Sequence, residues 1–129
     1  MKVVVVGLGV QGYKRCKHAG ADCVATVDPI NKEALYRDLR DVPLDTYDAV
    51  LACVPDEPKI DLLRYCLENK KHVLIEKPMT LKSKDAKILV KTAKKEKRHL
   101  FCVMQNRFSP TIIWLKEIIK MKKLGKLYS

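Results

Sequence analysis

The glycine-rich run Gly-Leu-Gly-Val-Gln-Gly at residues 7–12 constrains the fold of this chain more than any other feature. It directly follows residues 2–6, a block that is β-branched and nearly all apolar, as a strand buried on both faces requires. A helical pattern over residues 10–18 comes next and ends at Ala19-Gly20. A buried strand, a glycine turn and a helix in direct succession are typical of the phosphate-binding turn of a dinucleotide-binding fold.

The rest of the chain continues to alternate between strand and helix patterns. Further strands are predicted at residues 22–27, 49–54, 72–75 and 100–104, and helices at 31–39, 57–68, from Ser83 and from Ser109-Pro110. Strict alternation with short connections predicts a parallel sheet covered by helices on both faces. We therefore expect an α/β fold, a doubly wound parallel sheet of the Rossmann type with five or six strands, over residues 1–124.

Each glycine of the run has a distinct predicted role. Gly7 permits the tight turn out of the strand, Gly9 lets the backbone approach a pyrophosphate, and Gly12 lets the helix pack close to the strand. The backbone amides of Val10 and Gln11 should point at the phosphates from the positive end of the helix dipole. Since no Lys-Ser or Lys-Thr follows the glycines, the run is not a mononucleotide P-loop.

Asp28 ends the second predicted strand, 21 positions after Gly7, close to the roughly 20 expected of the dinucleotide fingerprint. A carboxylate there accepts hydrogen bonds from ribose hydroxyls and repels a 2′-phosphate. Pro29 and Ile30 follow it and offer no positive charge, so we predict NAD in preference to NADP, and Lys32 is the one residue that could weaken the preference. The alternative is a surface aspartate that merely caps the next helix.

A second signature, Glu76-Lys77-Pro78, follows the fourth predicted strand. The carboxyl ends of parallel strands border the crevice in which such sheets bind ligands. A lysine beside a nicotinamide can hydrogen-bond a substrate hydroxyl and stabilise its developing negative charge. Taken alone, the same three residues could equally form a loop without function.

Together these segments resemble the glucose–fructose oxidoreductase / inositol 2-dehydrogenase (Gfo/Idh/MocA) family. The resemblance covers essentially the whole chain and keeps the motifs in order, at residues 7–12, 27–29, 47–50, 71–78 and 106–108. It implies an NAD(P)-dependent oxidoreductase acting on a sugar or polyol hydroxyl. Residues 104–110, 114–116 and 124–128 look most like the branch that oxidises nucleotide-linked amino-sugar acids.

The resemblance also implies roles for individual residues. It makes Lys77 the catalytic lysine near the nicotinamide and Glu76 a neighbour of the nicotinamide ribose. The remaining implied cofactor contacts are the loop residues Cys53, Val54 and Pro55, with Pro29, and the residues Gln105, Asn106 and Arg107 after strand five. Family members often carry Thr-Pro-Asn in the loop after strand three, so Val54 and Asp56 depart from the pattern and put side-chain contacts there in doubt.

The domain organisation that the resemblance implies is larger than 129 residues. Family members have a second domain that holds the substrate and supplies a histidine, often the general base, so residues 125–129 are expected to begin the crossover to a substrate domain that this sequence does not contain. We expect the chain alone to bind NAD without efficient turnover. It would be a fragment of a full enzyme, a short protein that pairs with a substrate subunit, or a stand-alone NAD-binding regulatory or assembly subunit; a homo-oligomer or a partner subunit is expected in each case.

Composition narrows the remaining possibilities. No apolar run approaches the roughly 18–20 residues that span a bilayer, and no signal peptide is evident, so we expect a cytoplasmic protein without a membrane partner. The five cysteines have no metal-ligand spacing and are predicted to be buried reduced thiols, and no metal is expected.

Charge raises one further function class. Residues 1–65 carry 9 Lys and Arg against 10 Asp and Glu, and residues 66–129 carry 17 against 5. A basic half can indicate a nucleic-acid-binding module, but helix-turn-helix spacing and a pair of stacking aromatics are missing. We interpret the lysines as solvated helix faces and expect no nucleic-acid partner.

Overall fold

The computed structural model describes residues 1–128 and contains one parallel sheet. Its strands are β1 (Val3–Val6), β2 (Cys23–Val27), β3 (Ala49–Ala52), β4 (His72–Ile75) and β5 (Leu100–Cys102). The α-helices are α1 (Val10–Ala19), α2 (Lys59–Glu68), α3 (Ser83–Lys95) and α4 (Pro110–Lys120). The strand order is β2-β1-β3-β4-β5, so the expected doubly wound α/β fold is confirmed, with five strands.

The chain reverses direction across the sheet between β2 and β3. Because β-α-β connections are right-handed, α1 lies on one face, and α2 and α3 lie on the other. Two cores follow from this arrangement. Val5 and Leu8 pack with half-buried Cys16 and Leu51 beneath α1, and the larger core on the opposite face contains the buried residues Val4, Val6, Val50, Ala52, Leu63, Leu67, Val73, Ile75 and Leu89.

The prediction of a helix at residues 31–39 is wrong. The side-chain oxygen of Asn31 accepts a hydrogen bond from the Glu33 amide and so caps a turn. The chain then runs back along the open edge of β2, where Tyr36 and Val27 form a parallel bridge. Two short 3₁₀ turns, Leu39–Asp41 and Leu44–Thr46, follow. The backbone groups that a helix would have satisfied internally are thus partly satisfied at the edge of the sheet.

Several predicted boundaries also move. Strands three and five are shorter than predicted, and a 3₁₀ turn at Gln105–Phe108 follows β5. Residues 124–128 form no strand and are exposed. Ser129 lies outside the described residues. The cysteines are free, as predicted, but only Cys66 is fully buried, and the other four are half-buried.

Two features of the helices concern their length and their burial. None of the helices formed by residues 1–128 is long and apolar enough to cross a membrane. α4 has no buried residue, although it carries Ile113, Trp114, Leu115 and Ile119. Trp114 is the most exposed of these four residues, at 63%.

Candidate functional site

The register of the sheet gathers the predicted site residues at one edge. Val6 pairs with Val27 of β2 and with Ala52 of β3, Ala52 pairs with Ile75, and Ile75 pairs with Cys102. The residues that follow these partners therefore leave the sheet side by side. They are Gly7, Asp28, Cys53, Glu76 and Val103.

The glycine turn has the geometry that its sequence predicts. Gly7 has a φ of 90°, and a Cβ atom there would lie 2.5 Å from the carbonyl oxygen of Cys53. A Cβ atom on Gly12 would lie 2.9 Å from the carbonyl carbon of Gly7 and would collide with its oxygen. Gly9, by contrast, faces open space, with no atom within 4 Å of a Cβ built there. Two glycines are thus required by packing, and Gly9 leaves room for a ligand.

The start of α1 fits an anionic group. Gly9 is the N-cap residue, and no side chain caps the helix. The first turn contains no acidic residue, and its amides, which include those of Val10 and Gln11, have no partner within the helix. Uncapped amides next to an open glycine form the cradle that a pyrophosphate requires. The residues present therefore fit a dinucleotide.

Asp28 is held in place by three backbone amides. Its Oδ2 accepts from Leu8 at 2.7 Å, and its Oδ1 accepts from Ile30 at 2.9 Å and from Asn31 at 2.8 Å. Burial raises the pKa of this carboxyl, but the three amide hydrogen bonds outweigh burial and leave the pKa below its usual value. Asp28 thus carries its charge at neutral pH and caps a turn as well as lying beside the glycine turn.

A cleft of about 500 Å³ opens beside Gly7 and Asp28. Pro29, Val54 and Pro55, which were predicted to contact a cofactor, line it, whereas Cys53 does not. The cleft also contains two arginines that sequence reasoning missed, Arg37 and Arg40. Arg37 donates to the backbone oxygens of Asp28 and Asn31, and Arg40 lies 5.2 Å from the ring centre of Tyr65. No sequence signal marks either residue, because Arg37 lies in the segment that was predicted to be a helix and Arg40 directly follows it.

Glu76 and Lys77 point in different directions. Glu76 is 7% exposed and forms an ion pair with Arg15 of α1, whose Nε donates to its Oε1 at 2.9 Å. Lys77 is exposed and forms no ion pair within residues 1–128. It lines a second, smaller cleft with the predicted site residues Gln105, Asn106 and Arg107. Neighbouring opposite charges in the sequence are thus separated in the fold.

A buried lysine connects the loop after β3 with the loop after β4. Lys59, at the start of α2, is 2% exposed, and its Nζ lies 2.5 Å from Oδ1 of Asp56. The same nitrogen donates to the carbonyl oxygen of Pro78, and the hydroxyl of Thr80 donates to Asp56. The Lys59 hydrogen bond, followed by that of Thr80, lowers the pKa of Asp56. Asp56, which departs from the family pattern, therefore connects the loop after β3 to the segment after Lys77.

Cys53 leaves β3 between the glycine turn and Glu76. Burial is the main cause that raises the pKa of its thiol to about 11, and the negative charge of Glu76 adds to the effect. The thiol is therefore neutral at physiological pH and is unsuited to nucleophilic attack. Its contribution to this site is made through its backbone, whose oxygen packs against Gly7.

A parallel five-stranded sheet with this glycine turn, an aspartate after its second strand and a lysine after its fourth defines a dinucleotide-binding domain of the Rossmann class. The model of the Gfo/Idh/MocA oxidoreductase family, described as an NAD-binding Rossmann fold, matches residues 1–104. The chain belongs to this family.

Known relatives are longer than this chain. The myo-inositol 2-dehydrogenase of Thermotoga maritima is 31% identical over 100 residues, which are 77% of this chain and 30% of that protein. The 2,7-anhydro-N-acetylneuraminate hydratase of Escherichia coli is 25% identical over 97% of this chain and 37% of its own length. The chain therefore spans about a third of the length of these two relatives.

A solved structure is similar along almost the entire chain. The WlbA dehydrogenase of Bordetella pertussis, in complex with NADH and UDP-GlcNAcA, superposes with a TM-score of 0.85 at 25% sequence identity. The match covers 99% of this chain and 45% of that one. The fold of residues 1–128 is thus that of the cofactor-binding part of a longer dehydrogenase.

Proposed function

We propose that this chain is the NAD-binding domain of an oxidoreductase that transfers a hydride between NAD and a hydroxyl group of a sugar or nucleotide-sugar. The observation that carries the proposal is the alignment of the uncapped glycine turn, the ionised Asp28 and Glu76-Lys77 at one edge of a parallel sheet. The substrate class follows from the names of relatives, which include an inositol dehydrogenase and a dehydrogenase complexed with UDP-GlcNAcA.

The chemical roles divide between two groups of residues. The nicotinamide ring supplies the hydride acceptor when the cofactor is bound. Gly9, Val10 and Gln11 hold the pyrophosphate, and Asp28 accepts hydrogen bonds from the adenosine ribose. Lys77 donates a hydrogen bond to the substrate hydroxyl and favours the negative charge that develops on it. Its exposure in the cleft shared with Gln105, Asn106 and Arg107 supports this role.

The preference for NAD over NADP depends on the negative and positive charges that line the cleft beside Gly7 and Asp28. Asp28 has a fixed carboxylate that would repel a 2′-phosphate. Arg37 and Arg40 bring positive charge to the same cleft. However, Nη1 of Arg37 already donates to two backbone carbonyl oxygens, and Arg40 forms an ion pair with Asp38. We therefore expect NAD to bind more tightly than NADP, with the arginines limiting the difference.

Replacing Asp28 with asparagine tests this preference. The D28N variant keeps the size of the side chain and one acceptor oxygen for the Ile30 and Asn31 amides, but it removes the charge and the acceptor for the Leu8 amide. NADP affinity should therefore rise relative to NAD by about tenfold, or 1.4 kcal/mol. Calorimetric titration of both cofactors measures the ratio. D61N serves as the control, because Asp61 lines the same cleft and is exposed. Equal binding of the two cofactors by the unmodified chain would refute the role of Asp28.

A second function, an NAD-binding subunit that acts through assembly with a partner, is favoured by α4. Its exposed apolar residues give the chain a surface suited to association. Sugar-dependent reduction of NAD distinguishes the two functions. An enzyme domain gains this activity when a substrate domain or subunit is supplied, whereas a regulatory subunit changes only the behaviour of its partner.

A further inference from the structure

The ion pair between Arg15 and Glu76 connects the two halves of the proposed cofactor site. Arg15 lies on α1, the helix that begins at the glycine turn, and Glu76 is the first residue after β4. β3 lies between β1 and β4 in the sheet, so the pair spans the end of β3. The thiol of Cys53 lies beside this ion pair. The charge of Glu76 raises the pKa of the thiol, and the charge of Arg15 lowers it.

The pair has an asymmetric geometry. Nε and Nη2 of Arg15 both donate to the same oxygen of Glu76, Oε1. Within residues 1–128, no hydrogen bond reaches the other oxygen, Oε2. Arg15 therefore fixes the orientation of the carboxylate and leaves one oxygen free to accept a hydrogen bond.

Burial makes this arrangement depend on Arg15. Glu76 is 7% exposed, and an ionised carboxylate at that depth requires a compensating charge. Arg15 of α1 is its ion-pair partner, and Lys77 adjoins it in the chain. Without Arg15, the Glu76 carboxylate would lose this partner and would attract the Lys77 ammonium group, and Lys77 would then leave the cleft that it shares with Gln105, Asn106 and Arg107.

We infer that Arg15 is a positioning residue that acts through Glu76, directing Oε2 toward the nicotinamide-side ribose and leaving Lys77 free, an inference that rests on the proposed function. In this role Arg15 would act on the cofactor only through Glu76. Its effect should therefore fall on the nicotinamide half of the dinucleotide and should spare the adenosine half.

A truncated ligand separates these two halves. ADP carries the adenosine and the pyrophosphate but lacks the nicotinamide ribose. In the Arg15→Met variant, NAD affinity should fall by roughly tenfold to a hundredfold, the effect of losing a charge-assisted hydrogen bond. ADP affinity should change less than threefold. The Lys14→Met variant removes a charge from an exposed neighbour on α1 and should bind both ligands normally.

Two further variants distinguish positioning from a general loss of structure. Arg15→Lys retains the charge without the two-donor geometry and should recover part of the NAD affinity. The double variant R15M/E76Q removes the uncompensated carboxylate and should bind NAD more tightly than R15M alone, a non-additive result expected only if Arg15 acts through Glu76. Circular dichroism checks that each variant is folded, and R15K supplies the comparison if R15M is not.

Equal losses of NAD and ADP affinity in R15M, or an E76Q effect that simply adds to that of R15M, would overturn the role of Arg15 and leave the proposed function standing. Failure of the unmodified chain to bind NAD would overturn both. The two failures are thus distinguishable in the same set of titrations.

Discussion

At the scale of single residues, the glycines of the turn differ in what surrounds them. Gly12 is closed in by the backbone of Gly7, whereas Gly9 opens onto solvent in an extended conformation, with φ −81° and ψ −167°. An extended backbone of this kind is accessible to any residue. Gly12 is therefore required for packing of the fold, and Gly9 is required to leave space for the proposed ligand.

Matched valine substitutions test this division. G12V forces a side chain against the Gly7 carbonyl group and should cost at least about 2 kcal/mol of stability. A Cβ atom at residue 9 has no atom within 4 Å, so G9V should leave the urea midpoint of unfolding nearly unchanged, while it blocks NAD binding. A G9V variant that unfolds as readily as G12V would contradict the assignment of open space at Gly9.

At the scale of elements, the amino-terminal ends of β4 and β5 carry a stack of rings. His72 and His99 stack with centroids 5.1 Å apart, and His99 and Phe101 stack at 5.6 Å. Nδ1 of His72 accepts a hydrogen bond from the backbone amide of His99 at 3.0 Å, which requires that nitrogen to be unprotonated. Burial, followed by the charges of Arg98 and His99, lowers the pKa of His72.

Stability should therefore depend on pH through His72. Since the folded state favours the neutral imidazole, its contribution is complete above the unfolded pKa of about 6.5 and is lost as the pH falls from that value through the lower pKa of the folded state. Urea unfolding between about pH 7.5 and pH 5.5 measures the loss. H72Q keeps a hydrogen-bond acceptor that does not titrate, so its stability should fall less steeply. An unchanged slope in H72Q would refute this role.

The elements differ in how well their sequences predict them. β4 and the starts of α1, α3 and α4 follow directly from apolar periodicity, glycine and proline positions. Residues 31–39 have a helical pattern, yet pairing with the open edge of β2 prevails, because that competition depends on tertiary contacts that no local pattern records.

The candidate site shows the same limit. The residues at strand ends were predicted because their position follows from local sequence. Arg15, Arg37 and Lys59 were not predicted. Arg15 reaches Glu76 from 61 positions away, and Lys59 reaches the carbonyl oxygen of Pro78 from 19 positions away. Arg37 contacts Asp28 and Asn31 in a segment that was predicted to be a helix. A lysine that is 2% exposed at a helix start has no sequence signal at all, because lysine is ordinarily a surface residue.

In the whole molecule, α4 is a helix with no buried residue that nevertheless carries large apolar side chains. Four large apolar residues of this helix are exposed together, and Met121, Leu124 and Leu127 beyond it are exposed as well. Several large apolar side chains exposed on one helix favour an interaction site there.

The 129-residue chain should accordingly self-associate through α4. Sedimentation velocity should show the mean mass rising with concentration. The double variant I113E/W114E should sediment as a monomer and bind NAD as before, and K120E on the same helix serves as the charge control. A chain that is monomeric at every concentration would show that α4 does not mediate self-association.

Calorimetric titration of the purified chain with NAD measures whether the glycine turn and Asp28 form a site for this cofactor. We predict saturable binding with one site per chain and a dissociation constant in the micromolar range, weaker binding of NADP, and no binding by G9V that remains folded. Absence of NAD binding by the folded chain, or undiminished binding by G9V, would contradict the account.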